Sequence, residues 1–175
     1  MPHTVFKLPE IPSKANDRRS WSGLAGSSLS LCITETAMTW GGISLLVTAD
    51  SQSAYQLEQN LAFFLSGTDT KVLTFPDWEI LPYDHFSPHQ DIISERLKTL
   101  HYLSNIKHGI VIIPVSTLMH RLLPPHYLYG NSLSLSQGDR FDINATRKQL
   151  ESAGYHCVDT VYEHSEFSVR GGVFD

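Results

Sequence analysis

Apolar residues recur along this chain in two rhythms, and the switches between them outline a fold. Leu29, Ile33, Ala37 and Trp40 stand at helical spacing and predict one apolar helix stripe, closed by Gly41-Gly42. The branched, apolar run Ile43-Ser44-Leu45-Leu46-Val47-Thr48-Ala49 then predicts a buried strand. Ser51 to Ser66 predicts an amphipathic helix carrying Tyr55, Leu57, Leu61, Phe64 and Leu65, with Gly67 as its stop. Lys71-Val72-Leu73-Thr74-Phe75 predicts a second strand, halted by Pro76. After a loop rich in proline and aromatic residues, a helix capped by that loop or by Asp91 places Ile93, Leu97 and Leu100 on one face. In Ile110-Val111-Ile112-Ile113-Pro114-Val115 the four uninterrupted apolar residues predict a strand buried on both faces. Ser116 to Leu123 predicts a short helix, closed by Pro124-Pro125. Alternating strands and helices specify an α/β fold, an open and mostly parallel sheet flanked by helices.

Beyond the proline pair the rhythm changes. Ser132-Leu133-Ser134-Leu135-Ser136 alternates strictly and predicts a half-exposed strand, followed by a turn at Gly138-Asp139. A helix capped by Asn144 is expected through Leu150 and Ala153, with Gly154 just past its end. Tyr155 to Tyr162 predicts a strand, and Ser168-Val169-Arg170 begins another with little left to pair with. The expected organisation is a mobile or loosely docked tail over 1–20, a sheet domain over 21–124, and the first part of a smaller α+β domain over 125–175. The last of these is expected to be truncated, the chain being a fragment of a longer protein. No internal repeat is present.

Composition narrows the function. The chain has 175 residues and a net charge of −5. A protein that holds nucleic acid by itself normally shows a basic excess, which is absent here. No apolar run reaches the ~20 residues of a membrane span, and residues 1–20 lack a signal peptide's apolar stretch. Cys32 and Cys157 stand far apart with no paired spacing, so they read as small buried hydrophobes in a reducing cytoplasm rather than zinc ligands. His85, His89 and Asp91, with Asp84, are the nearest thing to a metal cluster. Pro88 disrupts the helix that would bring them together, and helix capping explains them better.

The stretch Gly23-Leu24-Ala25-Gly26-Ser27-Ser28-Leu29-Ser30 compares with nucleotide-binding loops. Such loops use glycines to bring backbone N–H groups to phosphate, a lysine to offset its charge, and a Ser or Thr on magnesium. Gly23 and Gly26 match the Gly-x-x-Gly-x-Gly-Lys-Thr form found in UvrB, and Ser30 is acceptable. Ser28 replaces a glycine and Leu29 replaces the lysine. An aliphatic side chain cannot neutralise phosphate, so the site reads as a non-functional vestige. From the residues alone, an ordinary turn before a helix is the better reading, since two glycines there are common in any turn.

The loop Phe75-Pro76-Asp77-Trp78-Glu79-Ile80-Leu81-Pro82-Tyr83-Asp84-His85-Phe86-Ser87-Pro88-His89-Gln90, with Asp91-Ile92-Ile93-Ser94-Glu95-Arg96-Leu97, resembles the bacterial transcription-repair coupling factors. So do Ile112 to Met119, the elements from Gly138-Asp139 to Val158-Asp159, and Glu166-Phe167-Ser168-Val169-Arg170-Gly171-Gly172-Val173-Phe174-Asp175. The last resembles a Gly-Glu-Phe-x-x-Arg-Gly-Gly-x-x-Asp motif shared with UvrB, with Ser165 in place of the glycine. The likeness runs in order from about Trp21 to Asp175.

The resemblance implies a UvrB-like domain 1A that has lost ATPase function, then part of a domain 2 that recruits the excision-repair protein UvrA. It implies no enzyme activity, cofactor or metal for this chain. ATP and magnesium would serve a motor in the carboxy-terminal half of the parent protein, which displaces stalled RNA polymerase on DNA. A carboxy-terminal domain would mask the UvrA surface. Arg170, with its motif neighbours Glu166 and Phe167, is the implied UvrA contact, and further contacts would lie beyond Asp175. An arginine fork suits a partner carboxylate, whereas a phenylalanine at this place suits a core. Without the resemblance, a nucleotide-binding or metal-dependent α/β enzyme domain remains the alternative.

Overall fold

The computed structural model describes residues 10–80, 85, 87–130, 132–133 and 135–175. Contacts divide the chain into two compact units, Met1–Pro124 and Pro125–Asp175.

In the first unit, α1 (Ser28–Trp40) precedes β1 (Ile43–Thr48), α2 (Ser51–Phe64), β2 (Val72–Thr74), α3 (Gln90–Leu103), β3 (Gly109–Pro114) and a single turn, α4 (Val115–Leu118). The three strands form a parallel sheet in the order β1-β3-β2. This is the α/β architecture that the alternation predicts. The central strand β3 is buried along its whole length, because it has a neighbour on each edge and helices over it. Ile110 and Ile112 meet Ile33 and Ala37 of α1 and Ala54 and Leu61 of α2 in one core cluster that also takes in Leu65, and Trp21, Leu46, Leu57 and Val72 pack against it.

Local chemistry sets the ends. Gly41 takes φ +67°, and its N–H closes α1 on the Ala37 carbonyl. Asp50 caps α2 by accepting the Ser53 N–H at 2.7 Å. His89 caps α3 by accepting the Asp91 N–H at 3.3 Å, which is the capping role the loop histidines suggested.

The expectations for β1 and α1 need correcting. β1 is not buried: its side chains alternate, and Ile43, Leu45 and Val47 are exposed because the strand lies at the sheet edge. On α1, Ile33 and Ala37 are buried, but Leu29 and Trp40 are exposed; Ser30, Cys32 and Thr34 complete the inner face. On α3, Ile93, Leu97 and Leu100 are half-buried, and the deepest side chains are Arg96 and Thr99. In the described part of the tail, Asp17 N–H bonds the Lys14 carbonyl, Arg19 pairs with Glu10 at 3.1 Å, and the Trp21 indole donates to the Glu10 carbonyl at 3.4 Å. Residues 1–9 lie outside the described residues.

The second unit contains α5 (Pro125–Gly130), α6 (Ile143–Ser152), β4 (His156–Cys157), β5 (Glu166–Phe167), β6 (Val169–Arg170) and β7 (Val173–Phe174). Strands β4 and β5 pair in parallel, and β6 and β7 form an antiparallel hairpin. Phe167 stacks on Phe174, which meets Phe141 edge-on, and these rings supply its apolar centre. The cap of α6 is Asp142, which accepts the Ala145 N–H at 3.0 Å; Asn144 already lies inside the helix. Gly154, at φ +91°, follows the helix as expected. The alternating stretch carries no strand at Ser132, Leu133, Leu135 or Ser136, while Ser134 is outside the described residues. The strand predicted over 155–162 shrinks to His156–Cys157, and the strand at Arg170 does find a partner, by folding back on itself.

Candidate functional site

The motif Glu166 to Asp175 builds a small hairpin. Gly171, at φ +60°, turns the chain between β6 and β7, a conformation that glycine adopts without strain. Val169 faces Phe174 and Arg170 faces Val173 across the ladder. Ser168 and Asp175 exchange both backbone hydrogen bonds at 3.0 Å and close the hairpin's open end.

Arg170 is exposed on this hairpin. Its Nη2 donates to the Asp159 carbonyl and, at 2.9 Å, to the Thr160 hydroxyl. Ser168 Oγ donates to the same Asp159 carbonyl at 3.2 Å. Glu166 has a different task. One carboxylate oxygen accepts the N–H groups of Tyr162 and Glu163, at 2.9 and 3.0 Å, and gathers the loop between β4 and β5. Those two backbone donors hold its carboxyl below the usual glutamate range, with a smaller contribution from nearby His156. Phe167 is 2% exposed and offers no surface to a partner. Of the three motif residues singled out as contacts, only Arg170 therefore presents its side chain outward; Glu166 shapes the loop and Phe167 fills the centre. Tyr162 and Val173, at 85% and 63% exposure, give this unit's surface large apolar side chains that the sequence motif does not single out.

The glycine loop of the first unit is a turn leading into α1. Gly23 and Gly26 have φ of +73° and +56°, as turns require. Yet residues 10–27 contain no strand, whereas phosphate loops hang from a strand end. Ser28 Oγ is turned back onto the Ala25 carbonyl at 2.7 Å. Leu29, in the lysine position, is exposed, and Ser30, in the magnesium position, is 2% exposed on the inner face of α1. Among the described residues no group of three or more His, Cys, Asp or Glu could hold a metal ion; Asp84 lies outside them. No helix among them is long and apolar enough to cross a membrane.

The loop that carries the longest resemblance is anchored by a residue that sequence reading passed over. Arg96, buried on α3, sits between the rings of Phe75 and Trp78, 4.2 and 3.9 Å from their centres. Its guanidinium donates to the Pro76 carbonyl at 2.5 Å, and Thr99 Oγ1 donates to the Thr74 carbonyl at 2.6 Å. Asp77 accepts the Ser116 hydroxyl and the Trp78 N–H, and the Ser116 bond is the main reason its carboxyl lies below the usual range. An arginine in a line of apolar helix residues gives no local sign that two aromatic rings will enclose it. Leu81 to Asp84 and Phe86 of this loop lie outside the described residues.

Comparison with known proteins places both units. Residues 133–175 match the UvrB interaction domain family. The chain is 46% identical over 172 residues to a transcription-repair-coupling factor of Haemophilus influenzae, covering 98% of this chain and 15% of that protein. It is 42% identical over 165 residues to the one of Escherichia coli, covering 94% and 14%, and 28% identical over 167 residues to the one of Myxococcus xanthus, covering 93% and 14%. With nearly every residue aligned and a UvrB interaction domain at its end, the chain belongs to the transcription-repair-coupling factor family, of whose members it spans about 15%.

Proposed function

We infer that residues 125–175 dock UvrA, and that residues 21–124 are a UvrB-like scaffold that carries this surface without hydrolysing ATP. The observation that carries the reading is Arg170, exposed on a short hairpin inside the segment that matches the UvrB interaction domain. A guanidinium in that place suits a carboxylate on the partner, and arginine is among the residues that dominate interface energetics. The missing lysine, the lack of a strand over residues 10–27 and the inward-facing Ser30 support the non-hydrolysing scaffold. On this reading the chain acts in the cytoplasm as part of a longer coupling factor. RNA polymerase, DNA, and ATP with magnesium belong to other domains of that protein, and a carboxy-terminal domain masks the UvrA surface.

Calorimetric titration of UvrA onto this chain, and onto one extended through the whole second domain, tests the reading. The extended chain binds, and Arg170→Ala within it weakens binding by about 1–4 kcal/mol, the range for truncating an interface anchor. Binding by neither chain overturns the reading, and unchanged affinity on substitution removes Arg170 from it.

A further inference from the structure

A long, exposed arginine loses much rotamer freedom when it binds, and that loss opposes association. Arg170 has already lost part of it in the isolated chain. Its Nη2 is held at two points, the Asp159 carbonyl and the Thr160 hydroxyl, both in the loop between β4 and β5. That loop is itself fixed. Val158 N–H bonds the Phe167 carbonyl at 2.9 Å at one end, and the Glu166 carboxylate gathers the Tyr162 and Glu163 N–H groups at the other. Ser168 Oγ adds a second bond to the Asp159 carbonyl. The anchors run from β5 through the loop and back to β6, with Arg170 as the last member of the chain of bonds.

We propose that Thr160 directly, and Glu166 through the loop it gathers, are positioning residues that pre-set the Arg170 guanidinium for a partner carboxylate. Nη1 and Nε make no bond among the described residues, and with both Nη2 hydrogens engaged either of them can donate a single, charge-assisted hydrogen bond to that carboxylate. The proposal rests on the reading of Arg170 as a UvrA contact and adds what makes that contact effective. Thr160 carries it without touching the partner, and Glu166 contributes geometry rather than a contact of its own.

Two measurements on the whole chain test it, one without UvrA and one with it. Thr160→Val keeps the side chain's shape and removes the acceptor. In the free chain, nitrogen relaxation of the Arg170 Nε–Hε group then shows a clear rise in mobility, while the backbone spectrum of the rest of the unit is retained. UvrA affinity falls about two- to tenfold, the cost of freezing one long side chain. Thr160→Ser returns the hydroxyl and restores both readouts. Unchanged Arg170 mobility in Thr160→Val overturns the proposal whatever UvrA does. Raised mobility with unchanged affinity also overturns it, and if Arg170→Ala still weakens UvrA, the docking role stands alone. If neither the unsubstituted chain nor one extended through the whole second domain binds UvrA, both fall.

Discussion

Single residues in this chain show how a side chain's surroundings, rather than its type, set its task. Ser165 stands where the family motif has glycine, and it adopts φ +68°, the left-handed region. A Cβ there costs roughly 1–2 kcal/mol, partly offset because glycine gives the unfolded chain more freedom. Ser165→Gly is therefore expected to stabilise the chain by about 0.5–1 kcal/mol, read as a higher midpoint in urea at unchanged slope. Destabilisation would mean that the hydroxyl contributes more than the backbone strain removes. Arg96 makes the complementary point. Burial among Phe75, Trp78 and Pro76 pulls its pKa down, while nearby Asp77 opposes that shift, and its carbonyl bond and ring contacts turn a surface-type residue into a tie for the loop. The sequence displays Arg96 openly within Ile93 to Leu100, but not which rings fold over it.

Elements were legible where local signals sufficed. Gly41, Asp50, Gly67 and Pro76 mark ends that any chain of this composition would respect, and α1, α2, β2 and β3 lie within a few residues of their expected places. The second unit was less legible, because its strands have only two residues each and owe their existence to pairing with each other. α6 shows the limit of reading a cap. Asp142 and Asn144 are both good capping types, and only the backbone, extended at Asp142 with ψ 99°, identifies which one serves. Asp142→Ala should therefore cost about 1 kcal/mol of stability, while Asn144→Ala, inside the helix and exposed, should be neutral or slightly stabilising. Paired urea titrations decide between them. The reverse order would return the cap to Asn144.

At the scale of the molecule, charge and site chemistry agree. A net charge of −5 and a glycine loop without its lysine both disfavour holding polyphosphate, whether nucleotide or nucleic acid. Phosphate-driven association strengthens as salt falls, so a mobility-shift assay at low salt is the most permissive test. The chain is expected to leave duplex DNA unshifted there; a salt-sensitive shift would reveal a basic surface that the overall charge conceals. A further whole-molecule feature is the outer face of β1, where Ile43, Leu45 and Val47 are exposed beside their buried register partners Gly109, Val111 and Ile113. Branched apolar residues bounded by glycines suffice to predict the strand. Its place at the edge of the order β1-β3-β2 leaves that face open among the described residues.

The sequence by itself determined the alternation of helices and strands, the parallel sheet and the motif around Arg170, because periodicity, turn residues and residue chemistry act over a few neighbouring positions. Only the tertiary structure decided that β1 is half-exposed, that Arg96 lies buried between two rings, that Glu166 gathers the loop between β4 and β5, and that Thr160 holds Arg170. Each of these depends on which distant segments meet, and burial and hydrogen bonding are settled by those meetings rather than by the order of residues along the chain.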